Sequence, residues 1–155
     1  MREIEFKAKR LHINEWVFGS LYVRTVDNIV KYYIIENVNR PWRRVTPETV
    51  CQWTGLLDKH GVKIFEGDIF QYRKHDGYLL DDFVGVVKFR DGCFGYEIVT
   101  GYNFKPFTPL SEFDELQEDF LNHTDVIGNI HDKEQQKQAL IDMMRGDEEL
   151  GLYDE

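Results

Sequence analysis

Short apolar runs, each closed by a turn-forming cluster, fill the chain up to about position 110. Ile4, Phe6 and Ala8 alternate with Glu3, Glu5, Lys7 and Lys9, the period of two of a strand with one covered face. Trp16 to Arg24 is apolar and aromatic with Gly19 inside it, which predicts a bulge or bend. Asp27-Asn28 separates Ser20–Val26 from Ile29–Glu36, and both residues tolerate turn conformations, so a hairpin is expected. The run Ile29 to Ile35 is β-branched and aromatic, a strong strand signal. Asn37 to Arg44 reads as a polar connection around Pro41. Thr46-Pro47-Glu48 fits the opening of a helix, but Thr49 to Trp53 prefers strand, so a turn and then a strand ending at Thr54-Gly55 is expected.

Asp58 to Gly61 predicts a turn, Val62 to Phe65 a short strand, and Ile69 to Arg73 another beyond Glu66-Gly67-Asp68. Residues 74–82 read as a loop. Phe83 to Phe89 and Phe94 to Thr100 flank Asp91-Gly92, the clearest hairpin in the chain. Gly101 to Pro109 reads as a loop. Helix is expected only late: from Ser111, with Phe113, Leu116, Phe120 and Leu121 on one face, and from Lys133 to Arg145, striped by Ala139, Leu140, Met143 and Met144. Val126 to Ile130 predicts a strand between them, and Gly146 to Glu155 has too few apolar residues to fold alone. Many short strands at regular spacing point to a small barrel or sandwich.

The chain has 155 residues, 42% hydrophobic and 30% charged, enough for one ordinary core. No apolar run approaches the ~20 residues of a membrane span, and Met1 to Phe6 lacks the continuous apolar stretch of a secretory signal. Two cysteines are too few for a disulfide framework. The expectation is a soluble cytoplasmic protein. The net charge of −9 divides unevenly. Residues 1–110 carry 16 Lys and Arg against 14 Asp and Glu, and residues 111–155 carry 3 against 14. A near-neutral body holds 19 of the 22 aromatics, and the end is acidic. The acidity of the whole therefore says little against nucleic acid, because each region has its own charge.

The stretch Gln52-Trp53-Thr54-Gly55-Leu56-Leu57-Asp58-Lys59-His60-Gly61-Val62-Lys63-Ile64-Phe65-Glu66-Gly67-Asp68-Ile69 resembles the signature of the YopX-type proteins of phages and prophages. Met1 to Ile4 with Phe6, and Asp125-Val126-Ile127-Gly128-Asn129-Ile130, resemble the start and late strand of that family, so the likeness spans roughly residues 1–131. Trp53, Leu57 and His60 depart from the usual residues, and His131-Asp132-Lys133-Glu134 runs on without the usual proline. The resemblance implies a mainly β fold with a small SH3-like β-barrel or roll around residues 56–130, additional N-terminal strands and one or two C-terminal helices. Residues 1–131 would form the β domain, with 1–55 and 56–130 as candidate submodules, and 132–155 an acidic helix and tail. It implies a bacterial host cell as the setting, but brings no catalytic residue. The motif itself reads as structure: Gly55, Gly61 and Gly67 supply positive φ where strands turn, and Asp58 and Asp68 bind turn amides.

Candidate chemistry is sparse. His12, His60, His75, His123, His131, Cys51 and Cys93 show no zinc-ligand spacing, and Ser20 and Ser111 sit in no nucleophile motif. No metal or other cofactor is called for. Glu66 with Asp68, or Asp81 with Asp82, offers carboxylate pairs for a metal-dependent hydrolase or nuclease, the alternative reading. The most suggestive polar feature is Arg40-Pro41-Trp42-Arg43-Arg44, where guanidinium groups and an indole suit phosphates and bases. The acidic end suits a basic protein surface. The function expected is binding rather than catalysis, with an unidentified protein as first partner and nucleic acid as second. An aromatic, edge-rich β body also allows a homo-oligomer.

Overall fold

The computed structural model describes residues 3–73, 82–101, 107–110 and 121–132. The fold is mainly β, built as two antiparallel sheets. The chain divides into two units, Met1–Glu66 and Gly67–Glu155. Among the described residues no helix is long and apolar enough to cross a membrane.

The first unit holds β1 (Phe6–Lys9), β2 (Trp16–Val26), β3 (Ile29–Ile35), β4 (Arg43–Arg44), β5 (Cys51–Leu57) and β6 (Lys63–Phe65), in the sheet order β4-β3-β2-β1-β5-β6. One face of the sheet packs Ala8, Val17, Ile34 and Val45, with Phe6, Leu21, Tyr32 and Val50 around them. Lys7 and Lys9, expected to point to water, are only 9% and 8% exposed. Their ammonium groups sit over rings instead: Lys7 4.7 Å from Trp16 and 4.8 Å from Phe65, Lys9 5.2 Å from Trp16. A ring face attracts a cation electrostatically, which offsets part of the cost of drying it.

β2 changes partner along its length. Trp16 to Gly19 pair with β1, and Ser20 to Val26 pair with β3 on the other side. The change falls at Gly19, where a Cβ would stand 2.2 Å from the carbonyl oxygen of Ile35. The sequence reading of a bend at Gly19 becomes a close approach of two backbones. Asp27 and Asn28 close the β2–β3 hairpin with φ of 52° and 64°, as its primed two-residue turn requires.

The family-like segment folds as turns and ladders. β5 runs to Leu57, past the expected end at Gly55, because Gly55 is a bulge between the Trp53–Phe65 and Leu57–Lys63 pairs. A 3-10 turn, Pro47–Thr49, precedes β5. The Asp58 carboxylate accepts the amides of His60 at 2.8 Å and Val62 at 2.9 Å, pinning the turn into β6.

The second unit holds β7 (Asp68–Tyr72), β8 (Phe83–Arg90), β9 (Cys93–Gly101), β10 (Thr108–Pro109) and β11 (Thr124–Asn129), ordered β10-β9-β8-β7-β11. Phe70, Phe83, Tyr96 and Tyr72 form its aromatic core, with Phe70–Tyr96 centroids 5.5 Å apart and Tyr72–Phe83 5.1 Å. Asp68 is 1% exposed, and its Oδ1 accepts from the Nδ2 of Asn129 at 2.9 Å across the β7–β11 pair. The carbonyl of Gly67 accepts the Ile130 amide at 2.9 Å beside it. Where the sequence suggests a turn role for Asp68, the structure shows a bond to a side chain 61 residues away.

The SH3-like barrel expected around residues 56–130 is corrected in form. β6 pairs with β5 in the first sheet, and the outer strands β10 and β11 of the second do not pair, so no closed barrel exists among the described residues. β10 is two residues long and ends in a proline without an N–H, too little to close a sheet. Both β10 and β4 fall in stretches read as loops, because a two-residue strand shows no periodicity. The helix expected from Ser111 to Leu121 falls, except for Leu121, outside the described residues, and the helix expected at 133–145 falls wholly outside them.

Asn129→Ala leaves the buried Asp68 carboxylate without that donor. Urea unfolding is expected to lose about 2–3 kcal/mol, and an undiminished stability would refute the role. Gly19→Ala forces β2 away from Ile35 and is expected to cost about 1–3 kcal/mol in the same assay.

Candidate functional site

The β2–β3 hairpin extends past the rest of its sheet. Among the described residues, β1 pairs with β2 no further than Gly19, and β4 pairs with β3 only at Tyr33 and Ile34. The ribbon from Leu21 to Lys31 therefore has two open edges among the described residues. Tyr22 to Thr25 and Asp27 to Val30 are exposed.

Antiparallel register sets what stands on each face. Tyr22 lies opposite Tyr33, and Tyr33 opposite Arg44, so the three form one row across β2, β3 and β4. Arg24 lies opposite Lys31 on the same face, because residues two apart along a strand share a face. Trp42, just before β4, joins the row, its ring 5.0 Å from Tyr22 and 5.9 Å from Tyr33. The three rings stabilise one another, by roughly 0.5–1.5 kcal/mol per pair beyond their area. Yet Tyr22 stays 40% and Trp42 48% exposed.

The run Arg40 to Arg44 is split by this arrangement. Arg44 joins the aromatic face. Arg43 lies opposite the fully buried Ile34 and so belongs to the other face. Arg40 is held at 3.4 Å from Glu36 in an exposed pair, worth little on its own. Sequence reasoning missed Tyr22, Arg24, Lys31 and Tyr33. The signal was present, as cations and aromatics alternating on both arms of a predicted hairpin, but it needed the register to become a surface.

Charge compensation is uneven: in the first unit Lys63 pairs with Glu5 and Arg10 with Glu15. In the second, Lys88 and Arg90 reach Glu97 at 2.9 Å and 2.5 Å, and the Lys88 ammonium with Arg90 beside it holds the Glu97 carboxyl below the usual range. In the first, among the described residues, no carboxylate pairs with Arg24, Lys31 or Arg44. Arg24 and Lys31 are like charges directly opposite, an arrangement that costs stability. The first unit carries 11 Lys and Arg against 8 Asp and Glu, so the acidity of the chain resides elsewhere.

Two carboxylates of the hydrolase reading, Glu66 and Asp68, lie in the turn before β7 and at the start of β7. Asp68 is engaged by Asn129. Glu66 is not in a strand, and its backbone N–H donates to the Gln52 carbonyl at 2.9 Å. Asp81 lies outside the described residues, as does the acidic segment from Lys133 on. Among the described residues no three His, Cys, Asp or Glu side chains group as a metal site.

Burial pushes the Glu66 carboxyl above its ordinary value of 4.5, against a lowering hydrogen bond with the Gln52 backbone. A raised pKa means that the folded chain holds this proton more tightly than the unfolded one. Stability at this position therefore falls as pH rises from 4.5 through the folded pKa. Glu66→Gln is expected to raise the melting temperature at neutral pH, with the gain vanishing below about pH 4.5. A gain independent of pH would refute the cause.

No curated protein matches the chain. The crystal structure of protein EF1440 from Enterococcus faecalis is similar at 22% identity, over 84% of this chain and 95% of that one, with a TM-score of 0.45. The YopX protein family matches residues 5–135, most of the length, and this chain belongs to the YopX family.

Proposed function

We propose that the protein is a phage or prophage accessory factor of the bacterial cytoplasm that works by binding nucleic acid, through the face of β2, β3 and β4, rather than by catalysis. The observation that carries this reading is the pair Arg24–Lys31, without a carboxylate partner among the described residues, beside the exposed rings of Tyr22 and Trp42 and the half-buried ring of Tyr33. A chain selected only for stability would place a carboxylate opposite one of these cations. An anionic ligand supplies that charge from outside and releases counterions as it binds. The rings answer a second demand, since a phosphate alone gives no reason to keep the indole of Trp42 and the phenol of Tyr22 half in water. The protein partner first expected from the sequence rests on the acidic end, most of which lies outside the described residues.

Anisotropy with labelled oligonucleotides tests the reading. Binding is expected at low salt and should weaken steeply as salt rises. Arg24→Ala or Arg44→Ala should each flatten the slope of log affinity against log salt by about 0.7–0.9. Lys31→Glu should weaken binding further, yet stabilise the fold by roughly 0.2–1 kcal/mol, because it turns a repulsive cross-strand pair into an attractive one. An absence of binding at low salt would remove the proposal.

A further inference from the structure

Nucleic acid offers different surfaces when paired and unpaired. In a duplex the base faces are covered by their neighbours, leaving edges and phosphates. In a single strand the faces are free to stack on a protein ring.

The β2–β3–β4 face carries two parallel rows. The first is Tyr22, Tyr33 and Arg44, thickened by Trp42. The second is Arg24 and Lys31, two residues further along each strand and so about 7 Å away. Both rows run across the strands. A ring row beside a cation row is the arrangement that a nucleotide matches when its base lies flat and its phosphate lies to one side. A duplex would reach the cations and leave the rings unused.

Resting on the nucleic-acid reading, we propose that this face binds an unpaired strand. Bases stack on Tyr22, Tyr33 and Trp42, and phosphates lie over Arg24 and Lys31, so the sugar–phosphate backbone crosses the β-strands rather than following them. Stacking accepts every base, so the face is tolerant of sequence. The rings are already held against one another at 5.0 Å and 5.9 Å, so little side-chain freedom is lost on binding. The open edges of the ribbon leave the path across it clear among the described residues. The opposed Arg24 and Lys31 also discourage a second copy from adding to those edges, since it would bring like charges together.

The test compares oligothymidylate with a duplex of equal length, using the full chain. Oligothymidylate is expected to bind more tightly. Trp42→Leu, which keeps apolar cover but not the indole, should weaken single-strand binding roughly 5- to 100-fold and duplex binding much less. Trp42→Phe should retain most of the affinity. Arg24→Ala should weaken both ligands. Equal binding of both, with Trp42→Leu without effect, overturns the single-strand proposal while an Arg24→Ala loss keeps the nucleic-acid reading. Binding of neither ligand overturns both.

Discussion

An eleven-residue strand cannot be paired along its length by a four-residue neighbour, and the first unit is organised around that mismatch between β2 and β1. β2 spends Trp16 to Gly19 on β1 and the rest on β3. Gly19 permits the exchange, since any side chain there would meet the Ile35 carbonyl. A ribbon with open edges is the result. A two-stranded hairpin is marginal alone in water. Here the base of the ribbon is anchored by Leu21 and Ile34 on the core side and by the Tyr22–Tyr33–Trp42 cluster on the other. The rings that form the candidate site also hold the ribbon on its sheet.

Charge is compensated unevenly, with carboxylate partners for Arg10, Arg40 and Lys63 in the first unit and for Lys88 and Arg90 in the second. Glu97 gathers Lys88 and Arg90 on the second, as surface ion pairs usually do. On the first, Lys7 and Lys9 are settled over rings near β1, while Arg24, Lys31 and Arg44 remain without a carboxylate among the described residues. The same residue types therefore serve as packing at one end of a face and as an open cationic surface at the other. Register and burial separate the two roles, and composition does not.

The segment that marks the family is occupied with folding. Gly55 makes a bulge, Asp58 closes a turn, and Asp68 meets Asn129 from the second matching stretch. The candidate binding residues lie outside that segment, on β2, β3 and β4.

The hairpin turns were legible in the chain, although Gly55, read as a strand end, is a bulge within β5. Asp27-Asn28 and Asp91-Gly92 take the positive φ values that their hairpins need, and the long β-branched runs are strands, because these preferences act over two to eight neighbouring residues. The aromatic–basic run from Arg40 to Arg44 was visible as composition. Its partition was not: Arg43 and Arg44 sit on opposite faces, and Tyr22, Arg24, Lys31 and Tyr33 join Arg44 only through pairing. β4 and β10 were unreadable, since two residues carry no period. Nor could a local pattern reveal that Asp68 would meet Asn129, or that Lys7 and Lys9 would be buried. By itself the sequence determined where the chain turns and which runs extend. Only the tertiary structure decided which side chains stand together, because a shift of one residue in register sends every side chain of a strand to the other face.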